Sequence, residues 1–310
     1  MNPAQLLPTN STNVRFMFET LLKRAGLGAS ALLAPGLAGL WAERLFLTPP
    51  KPRYPSSEFF DLIDARQSFQ LHRGRHIATW RWGPAEAPAV LLVHGWGGRA
   101  TRMSRFVPHL AAAGYRVIAY DQPAHGLSDG KLTGLPDFAD VLAAVARQHG
   151  NVRALIAHSL GGPAAAIALA RGLRAERAVL ISPPSDLVGF SRRFARWLAL
   201  PERVRRSMQA AIEERFGVRW SELEIARIAP RLRAEALVIH DRHDTQVPWQ
   251  QGAALARHWP GARLMSTRGL GHGRILENDA VARAAVEFIA GRSAVAQPAL
   301  PSLPNPAPLL

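Results

Sequence analysis

The sequence predicts an α/β fold: a mostly parallel, doubly wound sheet with an inserted helical cap. The first observation is that short apolar runs alternate with helical patterns, which is typical of a parallel sheet covered on both faces. The second is a serine at the corner where one apolar run passes directly into a helical pattern. The third is an interruption of about fifty residues, which is too long for a plain connection between two elements.

The apolar runs predict eight strands. The first two are joined by Arg73-Gly74, a hairpin signal, and are expected to pair antiparallel at the edge of the sheet. The predicted strands are Ser68–Leu71, His76–Trp82, Ala89–His94, Arg116–Asp121, Val152–Ala157, Arg177–Ser182, Ala236–Asp241 and Ala262–Ser266. The predicted helices around them are Thr101–Ala113, Pro136–His149, Pro163–Arg171, Trp249–His258 and Asp279–Ala290.

The alternation stops at Pro183-Pro184, and residues 185–235 follow a mostly helical pattern that predicts the cap. Its aromatic side chains either line a pocket for an apolar substrate part or form the core of the cap itself, and we expect the second role for most of them. These aromatic residues are Phe190, Phe194, Trp197, Phe216 and Trp220.

The chain divides into a peripheral N-terminal helical segment and linker over residues 1–55, an α/β domain that includes the cap over 56–292, and a tail over 293–310. The tail is rich in Pro, Ala and Leu, and its composition predicts disorder.

Residues 25–42 form an uncharged run that falls short of the ~20 strongly apolar residues of a membrane span. This run predicts two short helices, the second extending over 43–47, which pack on the domain or lie in a membrane interface. We expect a cytoplasmic protein, with peripheral membrane association through residues 25–47 as a further hypothesis.

The net charge of +15 comes from an arginine-rich composition. Only Lys23, Lys51 and Lys131 are lysines among the 38 basic residues, and the arginines are scattered along the chain. They are not concentrated in one run with aromatic residues, and a nucleic-acid-binding protein needs a clustered basic face, which only a structure shows. We attribute the charge first to an Arg- and Ala-rich composition, second to attraction to anionic lipid and last to nucleic acid, and expect no nucleic-acid partner. The chain has no cysteine, which excludes disulfides, thiolate metal sites and a cysteine nucleophile.

The serine at the corner is Ser159, within Ala157-His158-Ser159-Leu160-Gly161. A strand that turns at once into a helix strains the serine backbone, and only small residues fit two positions away on either side. This segment departs from G-x-S-x-G by having Ala157 in place of the first glycine, a mild change. It predicts Ser159 as a nucleophile placed at the N-terminus of the following helix.

A serine hydroxyl needs a base, an acid that orients the base, and donors for the developing oxyanion. In an open α/β sheet these groups come from loops at the carboxyl ends of the strands. The first such loop is His94-Gly95-Trp96-Gly97-Gly98. Its glycines permit close approach of the backbone, so the N–H groups of Trp96 and Leu160 are the predicted oxyanion hole.

The loop from His240 to Pro248 supplies the orienting acid. Its two histidines and two aspartates do not have the spacing of a known metal site, and we expect neither a metal nor a cofactor. Asp244 lies further into the loop and is the first choice. Asp241, at the strand end, is second, and Asp186 is a remote third.

His272 is the predicted base, because it stands between Gly271 and Gly273 in the loop after the last strand. His125 is the weaker candidate because it precedes Ser159 in the chain. Its loop, residues 121–128, is predicted to be structural.

Together these motifs resemble those of the α/β-hydrolase superfamily over about residues 66–291. The resemblance implies a triad of Ser159, His272 and Asp244, in the chain order Ser…Asp…His of that superfamily. A serine at the elbow, where epoxide hydrolases and dehalogenases carry an aspartate, argues against their chemistry. We expect a serine hydrolase of carboxylic esters with an apolar acyl part. Thioester, lactone or amide hydrolysis and a non-catalytic binding role remain as alternatives.

Overall fold

The computed structural model describes residues 34–50 and 64–292, together with Gly26 and Ser30. Its strands β1 to β8, in chain order, are Arg66–His72, Arg75–Trp82, Ala89–Val93, Arg116–Tyr120, Val152–His158, Arg177–Ile181, Glu235–Asp241 and Arg263–Thr267. They form one sheet in the order β1-β2-β4-β3-β5-β6-β7-β8. The β1–β2 hairpin pairs antiparallel and joins β4 antiparallel at the edge, whereas the other pairs are parallel. The predicted fold class is confirmed.

The described helices surround this sheet. In chain order, α1 to α10 are Pro35–Phe46, Phe106–Ala112, Leu135–His149, Gly161–Ala170, Leu187–Trp197, Glu202–Phe216, Ile225–Ile228, Trp249–His258, Gly271–Arg274 and Asp279–Ile289. One predicted helix, Thr101–Ala113, was too long, because its first part is a separate 3₁₀ turn over Ala100–Met103. There the buried Asp121 carboxylate accepts the N–H of Ala100 at 2.7 Å, a tertiary contact that the local pattern does not encode.

The sheet is covered on both faces, which explains its continuous apolar strands. All five residues of β3 are buried, and successive residues point to opposite faces. Leu91 and Val93 belong to a core shared with α3, α4, α8 and the cap. Val90 and Leu92 belong to the core under α2 and α10. The carboxyl ends of the strands are thus held rigidly along one edge of the sheet.

The helical cap lies between β6 and β7 and consists of α5, α6, α7 and short 3₁₀ turns. It begins where Asp186 caps α5, its carboxylate accepting the N–H of Gly189 at 2.7 Å. The aromatic side chains of the cap divide between two environments: Trp220 is buried, while Phe190 and Trp197 are about two-fifths exposed. The cap therefore has both an aromatic core and aromatic groups at its surface.

Helix α1 packs against α6 of the cap. Ala38 and Ala42 are fully buried there, and the buried carboxylate of Glu43 forms an ion pair with Arg215. Helix α1 is thus packed on the cap. The predicted boundaries at 55/56 and 292/293 stay predictions, since residues 51–63 and 293–310 lie outside the described residues. Residues 27–29 and 31–33 of the predicted helix pair also lie outside the described residues.

Within the described part of the chain, no helix is both long and apolar enough to cross a membrane. Leu37, Leu40 and Trp41 of α1 nevertheless have exposed side chains. Peripheral association through residues 25–47 remains a prediction.

The Glu43–Arg215 pair gives a first test of how firmly α1 is docked. Arg215→Met leaves a buried carboxylate without its partner, and we expect the free energy of unfolding to fall by about 1–3 kcal/mol, discounted because Arg215 itself is partly exposed. The double variant Glu43→Leu/Arg215→Met removes the buried charge as well and should recover most of that loss. Urea unfolding measures both. Equal destabilisation of the single and double variants would show that the pair does not hold the helix.

Candidate active site

The turn at Ser159 has the geometry of a nucleophile elbow. Ser159 has φ of 51°, in the left-handed region that L-residues rarely adopt, between the end of β5 and the start of α4. Its N–H donates to the carbonyl of Ile181 at 2.9 Å, and its own carbonyl accepts the N–H of Gly162 at 2.8 Å. The neighbouring β6 and the helix start therefore hold the strained residue in place.

Close approach requires glycine at two positions beside the turn, Gly161 after Ser159 and Gly95 in the adjacent loop. A Cβ at Gly161 would lie 2.6 Å from the carbonyl oxygen of Val93, and one at Gly95 would lie 2.6 Å from the Cβ of Ser159. Ala157, where G-x-S-x-G has glycine, is fully buried in a space that accommodates its methyl group. The departure from the motif therefore leaves the elbow intact.

The structure brings together the three side chains predicted as a triad. His272 lies in the single-turn helix α9, with its Nε2 3.0 Å from the Oγ of Ser159. Its Nδ1 lies 2.7 Å from Oδ2 of Asp244. The hydroxyl, the imidazole and the carboxylate thus form one hydrogen-bonded chain, in which Ser159 and His272 are 113 positions apart in the sequence and Asp244 and His272 are 28 apart.

The Asp244 carboxylate is held in one orientation by several donors. Its Oδ1 accepts the N–H groups of Gln246 and Val247, each at 2.9 Å, and Nε2 of His240 lies 3.4 Å from Oδ2. Burial alone would raise the pKa of Asp244, but the hydrogen bonds from His240, His272 and Val247 hold it well below its usual range. The contact with His240 was not foreseen, although its spacing of four residues from Asp244 was visible in the sequence.

The other two acid candidates have different partners. Asp241 accepts from the Thr267 hydroxyl at 2.7 Å and from the N–H groups of His243 and Leu270, so it fixes the loops on either side of the site. Burial alone would raise the pKa of Asp241, yet those hydrogen bonds lower it to about 2. Asp186 is the cap of α5. Asp244 alone of the three contacts His272.

The glycine loop, residues 94–98, runs directly beside the elbow. The Cβ position of Gly95 lies 3.3 Å from the backbone nitrogen of Leu160, and Trp96, Ser159 and Leu160 line the same cavity. Neither of their N–H groups has a hydrogen-bond acceptor among the described residues. Both groups are therefore available to a ligand atom above Ser159.

His125, the weaker base candidate, supports this loop instead of facing Ser159. Its Nε2 accepts the N–H of Gly97 at 2.9 Å, and its Nδ1–H donates to the carbonyl of Pro123. Its ring also packs edge-on against Trp96 and Phe138. Burial lowers the pKa of His125 to about 4, which keeps the imidazole neutral and able to accept.

Two further histidines near the site had not been assigned a role. His94 donates to the carbonyl of Gly95 at 2.7 Å and accepts the N–H of Gln122 at 2.9 Å. His158, the residue before Ser159, donates through Nε2 to the carbonyl of His272 at 3.0 Å, and the two rings are 4.8 Å apart. Burial, together with the charge that His272 carries when protonated, lowers the pKa of His158 to about 3. Both positions lie in motifs recognised in the sequence, but only the fold shows what they contact.

Two depressions meet at Ser159. The outer cleft, of about 440 Å³, is lined by residues that include Arg99, Arg102, Gln246 and His272. The inner cavity, of about 100 Å³, is enclosed mostly by apolar side chains. The apolar residues that line it include Phe46, Leu47, Trp96, Leu135, Phe190, Ile212, Phe216, Trp220 and Leu223. Three of the five cap aromatics thus face this cavity, more than we expected.

No group of three or more potential metal-ligating side chains is clustered in the part of the chain that the structure describes. In the 240–248 loop, His240 donates to the carbonyl of Val247, Asp241 accepts from Thr267 and backbone N–H groups, and Asp244 accepts from His272 and backbone N–H groups.

Comparison with known proteins places this geometry in a family. A model of the alpha/beta hydrolase family matches residues 90–284, which is well over half of the chain. The chain belongs to the alpha/beta hydrolase family. A human serine hydrolase-like protein is 35% identical over 92 residues, which cover 28% of this chain and 45% of the human protein. The chain thus spans less than half the length of this curated relative.

Solved hydrolase structures share the fold at low sequence identity. A bacterial membrane phospholipase A is 18% identical, with a TM-score of 0.59 over 90% of this chain and 98% of its own. An esterase from Rhodococcus is 20% identical, with a TM-score of 0.56 over 74% of this chain and all of its own. These similarities concern the fold alone.

The buried histidines predict how stability depends on pH. The pKa values of His125 and His149 are lowered to about 4 and that of His158 to about 3, chiefly by burial, and burial also lowers that of His94. Between these values and 6.5 the unfolded chain binds protons that the folded chain does not, so stability falls as the pH falls, by up to ~1.4 kcal/mol per pH unit for each imidazole.

One carboxyl group opposes this trend. Burial raises the pKa of Asp121 to about 6, so that group favours the folded state as the pH falls towards 4. The loss of stability from the four imidazoles exceeds the gain from the one carboxyl group. We therefore expect the free energy of unfolding to drop by at least about 1 kcal/mol between pH 6.5 and 5.5. Urea unfolding across this range measures it. A flat profile, or one that rises towards low pH, would contradict the neutral state of these histidines.

Proposed function

We propose that this protein is a serine hydrolase that cleaves carboxylic esters through an acyl-enzyme. The observation that carries the proposal is the hydrogen-bonded chain from the Ser159 hydroxyl through His272 to Asp244. A hydroxyl within 3.0 Å of an imidazole nitrogen can lose its proton to that nitrogen as it attacks. The strained elbow and the glycine loop beside it are the second line of support.

The first half of the reaction forms the acyl-enzyme. Ser159 Oγ attacks the ester carbonyl carbon while His272 Nε2 takes the hydroxyl proton, and Asp244 stabilises the resulting imidazolium. The N–H groups of Trp96 and Leu160 donate hydrogen bonds to the carbonyl oxygen as it becomes negatively charged. When the tetrahedral intermediate collapses, the carbon–oxygen bond to the alcohol breaks and His272 returns the proton to the leaving alkoxide.

The second half releases the acid. A water molecule takes the place of the alcohol and gives a proton to His272 Nε2 as it attacks the acyl carbon. Collapse of the second tetrahedral intermediate breaks the bond to Ser159 Oγ, which recovers the proton from His272. The pKa of Asp244, held low by its donors, keeps the carboxylate ionised throughout, as its orienting role requires.

The two depressions favour a particular placement of the substrate. The inner cavity is almost entirely apolar, which suits the acyl chain, and the alcohol part then lies in the outer cleft. Thioester, lactone and amide hydrolysis use the same steps and remain alternatives within this proposal. A non-catalytic binding protein is the alternative outside it, and the complete hydrogen-bonded chain favours the enzyme.

Ser159→Ala tests the nucleophile. With p-nitrophenyl acyl esters we expect kcat to fall by a factor on the order of 10⁴ or more, because the covalent step is lost. Ser68→Ala, a serine on the edge strand β1, is the matched control and should retain activity. Labelling by a fluorophosphonate probe should disappear only in Ser159→Ala. A folded wild-type protein that neither turns over esters nor takes the label would favour the binding alternative.

Asp244→Asn tests the orienting acid. The amide preserves the shape but no longer stabilises the imidazolium or selects the productive tautomer, and a decrease of kcat by about 10⁴ is expected with little change in KM. The control is Asp140→Asn, which removes a carboxylate that pairs with Arg73 and Arg171 on the protein surface. Equal activity of the wild-type and Asp244→Asn enzymes would remove Asp244 from the mechanism.

A further inference from the structure

Helix α1 lies outside the segment that matches the family model, residues 90–284, yet it is packed tightly on the cap. A Cβ at Gly39 would lie 2.6 Å from the Cβ of Ser207 in α6. The helix backbones therefore approach as closely as glycine allows. The Glu43–Arg215 pair fixes the same contact a turn further along. This docking sets the position of the residues that end the helix.

The last residue of α1, Phe46, enters the aromatic group of the cap. Its ring centroid is 5.0 Å from that of Phe194, 5.7 Å from that of Phe190 and 6.2 Å from that of Trp220. These separations are typical of aromatic pairs in contact. Phe46 is also part of the wall of the inner cavity that reaches Ser159. A side chain of the N-terminal helix thus faces the space proposed for the acyl chain.

The residues after Phe46 continue along the site. Leu47 is buried and lines the same cavity, and its carbonyl accepts the N–H of Thr133 at 2.9 Å. Pro50 then lies against the glycine loop, its Cγ 2.8 Å from the Cβ position of Gly97. The segment 46–50 therefore extends from the acyl cavity to the loop that carries one of the proposed oxyanion donors.

We propose that Phe46 is a specificity-determining residue that limits the length of the acyl chain, and that the preferred substrates are esters of short, apolar acids. This inference rests on the proposed function, because it assigns the inner cavity to the acyl group. The cavity of about 100 Å³ is smaller than the ~150 Å³ at which an apolar protein cavity binds benzene. A short alkyl chain fills it, and a long one does not fit unless Phe46 moves.

The test is the acyl-length profile of enzymes with a smaller or larger side chain at this position. Acetyl, butyryl, hexanoyl and octanoyl p-nitrophenyl esters serve as substrates. In Phe46→Ala, the ratio of kcat/KM for octanoyl over butyryl ester should rise by about tenfold or more, since each methylene placed in an apolar pocket changes discrimination by that order. In Phe46→Trp, the ratio of butyryl over acetyl should fall.

Leu40→Ala is the matched control. Leu40 belongs to the same helix, but its side chain is 54% exposed, so this variant should keep the wild-type profile. Phe46→Leu, a milder change, covers the case in which Phe46→Ala does not fold. An unchanged profile in the folded Phe46 variants, or the same change in Leu40→Ala, would overturn the proposal.

A second measurement separates this inference from the chemistry. In the Ser159→Ala background, acetate, butyrate, hexanoate and octanoate are added and the shift in Tm is recorded. Butyrate should stabilise the protein most, and adding Phe46→Ala should move the maximum towards octanoate. If this shift is seen but wild-type enzyme hydrolyses no ester, the cavity assignment stands and the proposed reaction fails. If wild type hydrolyses esters but neither profile responds to position 46, the reaction stands and the role of Phe46 is refuted.

Discussion

The strained backbone of Ser159 is the constraint on which the rest of the site depends. A non-glycine residue in the left-handed region costs on the order of 1–3 kcal/mol and persists only where its surroundings determine it. Here the surroundings are the carbonyl of Ile181, the start of α4 and the close approach of Gly95 and Gly161. The buried parallel sheet supplies the rigidity, because β3, β5 and β6 end side by side. These contacts hold the strained residue, and with it the Ser159 hydroxyl, in one position.

Neutral, hydrogen-bonded histidines hold the loops around that hydroxyl. His94 and His125 bind backbone groups of the glycine loop, and His158 binds the carbonyl of His272. An imidazole can accept a backbone N–H only while it is uncharged, and burial lowers the pKa values of all three. Low solvent access therefore keeps His94 and His125 in the form that accepts a backbone N–H, and it keeps His158, which donates to the carbonyl of His272, uncharged. It also strengthens the hydrogen bonds of the proposed triad.

The cap and helix α1 together enclose one side of the site. The cap aromatics alone would leave its wall incomplete, and Phe46 and Leu47 contribute to the inner cavity from a segment far from the elbow in sequence. The sequence placed residues 25–47 at a membrane interface or on the surface of the domain. For residues 34–47 the described structure shows packing on the cap, while the apolar side chains on the outer face of α1 remain exposed. The amphipathic pattern of a short helix does not reveal which of its partners is present, because a cap and a membrane bury an apolar face equally well.

By itself, the sequence determined the strands, their parallel arrangement, the antiparallel edge hairpin, the cap and the segment that forms the elbow. These depend on local periodicity and on glycine spacing, which act over a few residues. It also ranked His272 above His125 as the candidate base and named three aspartates as candidates for the orienting acid. Only the tertiary structure decided that Asp244 contacts His272 while Asp241 bonds to Thr267, and that His125 supports the glycine loop. It also decided that Phe46 lines the inner cavity. Such contacts join residues on different elements, and their distances are set by how the elements pack, which no local pattern encodes.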